Sequence, residues 1–192
     1  MAFQFKIQIK DIADPPVWRR VLVPGQFTFL RMHQLIQSAF GWDDYHLFQF
    51  SPKGYGSEPD ISLPSADEDV FGGGRLEKLD AAKTKLQDIF KTEKQHFVYI
   101  YDFGDDWKHL ITLEKITDEK ILRAALLDGK GCCPPEDCGG PWGYENLKEV
   151  MANPKHPEYK EMKNWLSQMM GIKKFDAGYF NLEVMKKLVV KV

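Results

Sequence analysis

The sequence predicts an α+β fold: a mixed, mainly antiparallel sheet of about five strands with one early helix, covered by C-terminal helices. Three observations predict it. In the first half, apolar residues recur with period two, as in Phe3, Phe5, Ile7 and Ile9, which marks a strand with one buried face. Beyond residue 140 they recur at helical spacing, as in Tyr144, Leu147, Val150 and Met151. Strands first and helices later favour α+β over an alternating parallel architecture. A chain of 192 residues suits one α+β domain, with 1–116 as a sheet-rich core and 117–192 as a cysteine loop and helices.

The first strand ends at Asp14-Pro15-Pro16, and a second runs from Val17 to Val23 before Pro24 stops it. Thr28 caps a helix reaching about Phe40, with Leu35, Ile36, Ala39 and Phe40 as its apolar stripe and Gly41 as its terminator. His46 to Phe50 returns as a strand with His46, Phe48 and Phe50 on one face. From 52 to about 82, proline and glycine interrupt every periodicity, including Gly72-Gly73-Gly74, and a long loop is expected. Leu86 to Phe90 suits one helical turn.

Phe97 to Phe103 and Trp107 to Ile116 read as a hairpin. A three-residue turn sets Phe103 opposite Trp107 and Tyr101 opposite His109, keeps odd residues on one face, and pairs Asp102 with Lys108 on the other. Gly104 or an aspartate takes the left-handed conformation such a turn needs. Asp118 to Leu127 reads as a helix, with a strand as the alternative. Three helices follow. The first ends at Asn153-Pro154. The second carries Tyr159, Met162, Trp165, Leu166 and Met169. The third is capped by Asn181 and turns Val184, Met185 and Leu188 inward.

Composition bounds the function. Net charge is −2, which argues against an extended nucleic-acid footprint. The N-terminus lacks the apolar run of a secretory signal, and no stretch approaches the roughly 20 apolar residues of a membrane span. With three cysteines and no export signal, the expectation is a cytoplasmic protein with reduced thiols, not associated with a membrane. There is no Gly-rich phosphate loop, nucleophile elbow or His-Glu-x-x-His pair.

Two segments hold the densest chemistry. One is Tyr101-Asp102-Phe103-Gly104-Asp105-Asp106-Trp107-Lys108-His109; the other is Cys133-Pro134-Pro135-Glu136-Asp137-Cys138-Gly139-Gly140. With Asp14-Pro15-Pro16-Val17-Trp18-Arg19-Arg20, His33-Gln34-Leu35-Ile36-Gln37, Ala39-Phe40-Gly41-Trp42 and His46-Leu47-Phe48, they resemble the plasmid pRi ORF-three-like family of plasmid and mobile-element proteins, sometimes labelled resolvase-like. The resemblance spans nearly the whole chain and implies no particular reaction. Serine-recombinase chemistry is disfavoured, because Ser38 stands alone within a helix without the arginine setting such a nucleophile needs.

Cys133 and Cys138 have spacing compatible with two zinc ligands, and His46 and His109 are the best donors to complete a set. The alternatives are semi-buried thiols in a turn-rich loop, or a disulfide. Asp102, Asp105, Asp106 and His109 could bind a hard cation or serve acid–base chemistry. They could equally be turn residues with a core histidine. Trp42, Tyr45, Trp107, Trp142 and Tyr144 either line a pocket or seal the sheet against helices. For Glu136, Asp137 and Glu145, near a helix start, the alternative is that they only complement its dipole. The resulting expectation is a ligand- or protein-binding module. Its binding residues would be Trp42, His46, Asp102, Asp105, Asp106, Trp107, His109, Glu136, Asp137 and Tyr144, where the hairpin tip, the strand start at His46 and the cysteine loop meet. A metal-dependent hydrolase or nuclease and a DNA-associated accessory protein are the alternatives.

Overall fold

A computed structural model describes residues 1–64 and 77–189, except the Met169 side chain. Its strands are β1 (Ala2–Ile9), β2 (Trp18–Pro24), β3 (Phe48–Ser51), β4 (Asp60–Ser62), β5 (Lys78–Asp80), β6 (His96–Tyr101), β7 (Trp107–Thr117) and β8 (Ala125–Lys130). Its helices are α1 (Phe29–Phe40), α2 (Leu86–Ile89), α3 (Gly140–Ala152), α4 (Tyr159–Met169) and α5 (Leu182–Val189). The expected Gly72-Gly73-Gly74 segment lies outside the described residues.

The strands form one sheet in the order β5-β4-β3-β6-β7-β1-β2-β8. Only β4 and β5 run parallel; every other neighbouring pair is antiparallel. The expected strands are its contiguous centre, β3-β6-β7-β1-β2, and the estimate of about five is corrected to eight. The additions lie at the edges. β4 and β5 are short strands inside the expected loop, too brief to show periodicity. The helix expected at 118–127 does not form: 118–124 carry no regular structure, and β8 takes up the strand alternative from Ala125 onward. Its backbone satisfies the outer edge of β2, and such an edge gains more from a hydrogen-bonded partner than from exposure.

Period two decides which face is buried. Phe3, Phe5, Ile7 and Ile9 of β1 join Tyr99, Tyr101, Trp107, His109 and Ile111 in the core. The opposite face carries Gln4, Arg20 and Glu114, joined by an Arg20–Glu114 ion pair at 2.7 Å. This is the usual division of an antiparallel sheet with one solvated face. α1 covers the apolar face. Phe29 meets Phe50 edge-on at 5.1 Å, His33 stacks on Phe48 at 3.7 Å, and Phe40 meets His109 at 5.1 Å. Thr28 Oγ1 accepts from the Arg31 N–H, and Gly41 takes φ 86° beyond the last turn, as the sequence predicts.

The C-terminal helices flank this layer. α5 packs against α1 and β8, and α3 packs against α4. Tyr144, Leu147 and Leu166 extend the core toward them. On α5, Met185 is half-buried, but Val184 and Leu188 face out and Val189 is the buried residue, which corrects the expected inward set. Arg19 fastens the edge. Its buried guanidinium donates to the carbonyls of Ala39, Lys130 and Gly131 and lies between the rings of Phe40 and Phe180.

The β6–β7 hairpin keeps odd with odd but slips by two residues. Tyr101 faces Trp107 and Tyr99 faces His109, so the loop runs from Asp102 to Asp106. Lys108 therefore opposes Ile100, not Asp102, and its ammonium pairs with Asp106. Asp102 and Asp106 take the positive φ values, 54° and 56°, that the longer loop requires. Aspartate tolerates them better than most residues.

Candidate functional site

Three segments meet at one end of the sheet: the hairpin tip 102–106, the approach to β3 at 43–47, and the cysteine loop 132–140. Hydrogen bonds lock them. Trp42 Nε1 donates to Pro134 O at 2.9 Å. The Tyr101 hydroxyl donates to Glu136 Oε1 at 2.5 Å and accepts from the Tyr45 N–H at 3.0 Å. Glu136 Oε2 accepts from the Asp43 N–H, and Asp105 Oδ2 accepts from the Gly139 N–H. Gly140 lies so close to the tip that a Cβ there would meet Asp105 O at 2.4 Å. Trp42, Asp105 and Glu136 are thus bonded within the junction.

His109 is a layer deeper. Its ring is fully buried in a box of Phe40, Trp42 and Tyr99, with Nδ1 at 3.1 Å from Trp107 O. Nδ1 therefore carries the proton and donates it to that carbonyl. Burial pushes its pKa down to about 3, so the ring stays neutral. Trp107 is equally buried. Tyr144 is buried against α3's neighbours and donates to Cys132 O at 3.0 Å.

The zinc set expected from Cys133, Cys138, His46 and His109 does not assemble. Among the described residues, no three of them bring ligand atoms together. The Cys133 turn faces the core beside Arg19, while His109 is enclosed by aromatic rings. All three cysteines are free and half-buried. Burial pushes the thiols of Cys133 and Cys138 up, the latter to about 12.

A different group does assemble. One ligand atom each of His46, Asp102 and Asp137 lies within 4.8 Å of the others. His46 Nε2 is 3.3 Å from Asp137 Oδ1 and 3.6 Å from Asp102 Oδ2. Asp102 is nearly buried, and its other oxygen accepts from the Gly104 N–H at 2.9 Å. Asp137 is 73% exposed. Asp106 lies apart from the group, bonded to the Tyr55 hydroxyl and Lys108.

Beside it, a cleft of about 380 Å³ opens along β3, with His33, Asp44, His46, Phe48, Leu30 and Phe103 in its walls. His33 and Asp44 were not among the expected site residues. His33 is buried on the inward face of α1, where a histidine at apolar spacing was the signal. Its Nε2 lies 2.7 Å from Asp44 Oδ1, and its Nδ1 lies 2.8 Å from the Tyr99 hydroxyl, which also accepts from Gln37 Nε2 at 2.9 Å. This pattern has Nε2–H donating to Asp44 and Tyr99 donating to Nδ1. Burial lowers the His33 pKa, and Asp44 partly offsets that. A second cleft of about 360 Å³ lies between α3 and α4, but its carboxylates, Asp137, Glu158 and Glu161, are exposed.

No helix among the described residues is long and apolar enough to cross a membrane. Comparison with known proteins adds kinship. The chain is 35% identical over 181 residues to an uncharacterized protein, y4hQ, of Sinorhizobium fredii, covering 93% of this chain and 86% of that one. It is similar to a crystal structure of a protein of unknown function, MM3350, from Methanosarcina mazei Go1. There the TM-score is 0.78 and the identity 34%, covering 95% of this chain and 96% of that one. The family model described as plasmid pRiA4b ORF-3-like protein matches residues 1–184, in keeping with the blocks at Asp14–Arg20, His46–Phe48 and Tyr101–His109, and the chain belongs to that family.

Proposed function

We propose that the protein is a binding module whose ligand occupies the cleft along β3. The observation that carries this reading is the cleft's lining. A buried imidazole and a half-exposed carboxylate, His33 and Asp44, face the apolar side chains of Leu30, Phe48 and Phe103 within about 380 Å³. That volume and that mixture suit a small ligand or a single inserted side chain. The chemistry favours an aromatic or aliphatic body carrying a cationic or hydrogen-donating group, which Asp44 would accept.

Binding is favoured over hydrolysis that relies on the protein's own side chains as nucleophile or base. Hydrolysis needs a nucleophile or a base poised near neutrality. Here His109 is held neutral far below that range, and the thiols of Cys133 and Cys138 are held protonated. A DNA-associated role is disfavoured by charge. Asp43, Asp105 and Asp137 gather at the junction, and the net charge of −2 offers phosphates no attraction.

The test is a titration followed by amide NMR, with benzylamine and tryptamine as probes and benzyl alcohol as the uncharged control. The amines should shift resonances of His33, Asp44, Phe48 and Phe103 at millimolar concentration. Benzyl alcohol should bind more weakly, and Asp44→Asn should remove the difference. Saturating amine with no shift in these residues would rule the cleft out.

A further inference from the structure

We propose that His46, Asp102 and Asp137 bind a first-row divalent cation such as zinc or manganese, stapling the three loops together at the mouth of the cleft. The inference rests on the binding-module reading only for its place, since His46 also lines the cleft.

The geometry argues for it by contrast within one molecule. Where this protein makes an imidazole–carboxylate hydrogen bond, at His33 and Asp44, the atoms are 2.7 Å apart. Charge-assisted bonds normally have about that length. At His46 the two carboxylate oxygens are 3.3 and 3.6 Å away. Nε2 is nevertheless shut off from solvent and makes no hydrogen bond. Two donors about 2.0–2.2 Å from one tetrahedral ion stand about 3.3–3.6 Å apart. The spacing around His46 is thus that of ligands to a shared cation, and too long for donors bonded to each other.

The arrangement is also pre-set. Asp102 is nearly buried, and the Gly104 N–H fixes Oδ1, which turns Oδ2 toward His46. The His46 ring stands edge-on to Tyr101 at 5.7 Å. Asp137 follows Glu136, whose two oxygens are clamped by Tyr101 and the Asp43 N–H. Outer partners of this kind orient metal ligands. Among the described residues, neither Asp102 nor Asp137 pairs with a lysine or arginine. Mixed oxygen and nitrogen donors suit zinc, manganese or iron over calcium or a thiolate-type site. The exposure of Asp137 leaves room for water or a ligand atom to complete the shell.

The test uses the whole chain, stripped of metal with a chelator and titrated calorimetrically with zinc chloride and, separately, manganese chloride. One ion should bind per chain and raise the melting temperature. Asp137→Asn and Asp102→Asn should each weaken binding at least about tenfold. Both keep the side-chain shape, and asparagine accepts the positive φ at both positions, so folding is preserved. Cys133→Ser and Cys138→Ser should bind metal as the parent does. The proposal is overturned if neither ion saturates a site, or if binding survives Asp137→Asn and is lost with a cysteine. Amine binding measured on the metal-free protein separates the two readings. Lost amine binding with intact metal binding would sink the cleft alone, and the converse result would sink the cation site alone.

Discussion

Histidine is used in three ways within a short distance, and the surroundings alone set the differences. His33 is buried with both ring nitrogens bonded, to Tyr99 and Asp44. His46 faces two carboxylates without bonding either. His109 is enclosed by aromatics and bonded only through Nδ1. The sequence placed His109 on the face of Trp107, Ile111 and Leu113, which is the face now seen in the core. It could not choose between a core ring and a ligand, because period two gives the side of the sheet but not the depth beneath its rim. His33 was legible as part of α1 and not as part of a site, since its partner Asp44 lies in a stretch without periodicity. Burial of His109 has a pH consequence with a definite sign. The folded pKa of about 3 lies below the ordinary imidazole value of 6.5. The unfolded chain therefore takes up a proton below pH 6.5 that the folded chain refuses. Stability from this group is fully present above pH 6.5 and falls by about 1.4 kcal/mol per pH unit between 6.5 and 3. Lowering of the His33 pKa acts in the same direction. Urea midpoints measured from pH 7 to 4 should drop less steeply in His109→Gln than in the parent. Equal slopes would mean that the ring is not buried as a neutral group.

At the scale of elements, packing reverses an ordinary preference in α3. Glycine inside a helix normally costs about 1 kcal/mol relative to alanine. At Gly143, however, a Cβ would stand 1.8 Å from Cys138 O, because the helix leaves the cysteine loop by folding back against it. Gly143→Ala should therefore destabilise by at least about 2 kcal/mol, as overpacking does when the obstacle is backbone. An unchanged or raised urea midpoint would contradict the close approach. The helix itself was legible from Tyr144, Leu147 and Val150, and its start between two glycines was not, since that depends on where Asp105 comes to lie. The hairpin shows the same boundary. Parity fixed the buried side of β6 and β7, but a slip of two residues leaves parity intact, so pattern could not separate the three-residue turn from the loop 102–106. Pairing the two large aromatics Tyr101 and Trp107 settles it in the fold, leaving Phe103 half exposed. Likewise, β8 was legible only as the alternative to a helix, because only Leu126 and Ala124 in its vicinity turn fully inward. Its partner, the edge of β2, lies more than a hundred residues away in sequence.

For the molecule as a whole, the decisive fact is that the first strand in sequence is central in space. β1 pairs with β2 on one side and with β7 on the other, and Phe3, Phe5, Ile7 and Ile9 are all fully buried. The sheet cannot close until the chain has returned from β2 through α1, β3 and β6 to β7. The candidate site is downstream of that closure, because the hairpin tip that supplies Asp102 projects from β7. α5 has the opposite standing. It covers α1 and β8 from outside and contributes Val189 as its one fully buried residue. Burying a large apolar side chain is worth about 1.5–3 kcal/mol, and β1 buries several while α5 buries few. Unequal outcomes are expected from two deletions. Removing residues 1–9 splits β2 from β7 and should abolish the cooperative urea transition and the near-ultraviolet circular dichroism of the aromatic core. Removing residues 182–192 should leave both signals in place with a lowered midpoint, together with metal binding at His46, Asp102 and Asp137. A chain that melts cooperatively without β1, or that loses its aromatic signature without α5, would mean that the sheet is not organised around its first strand.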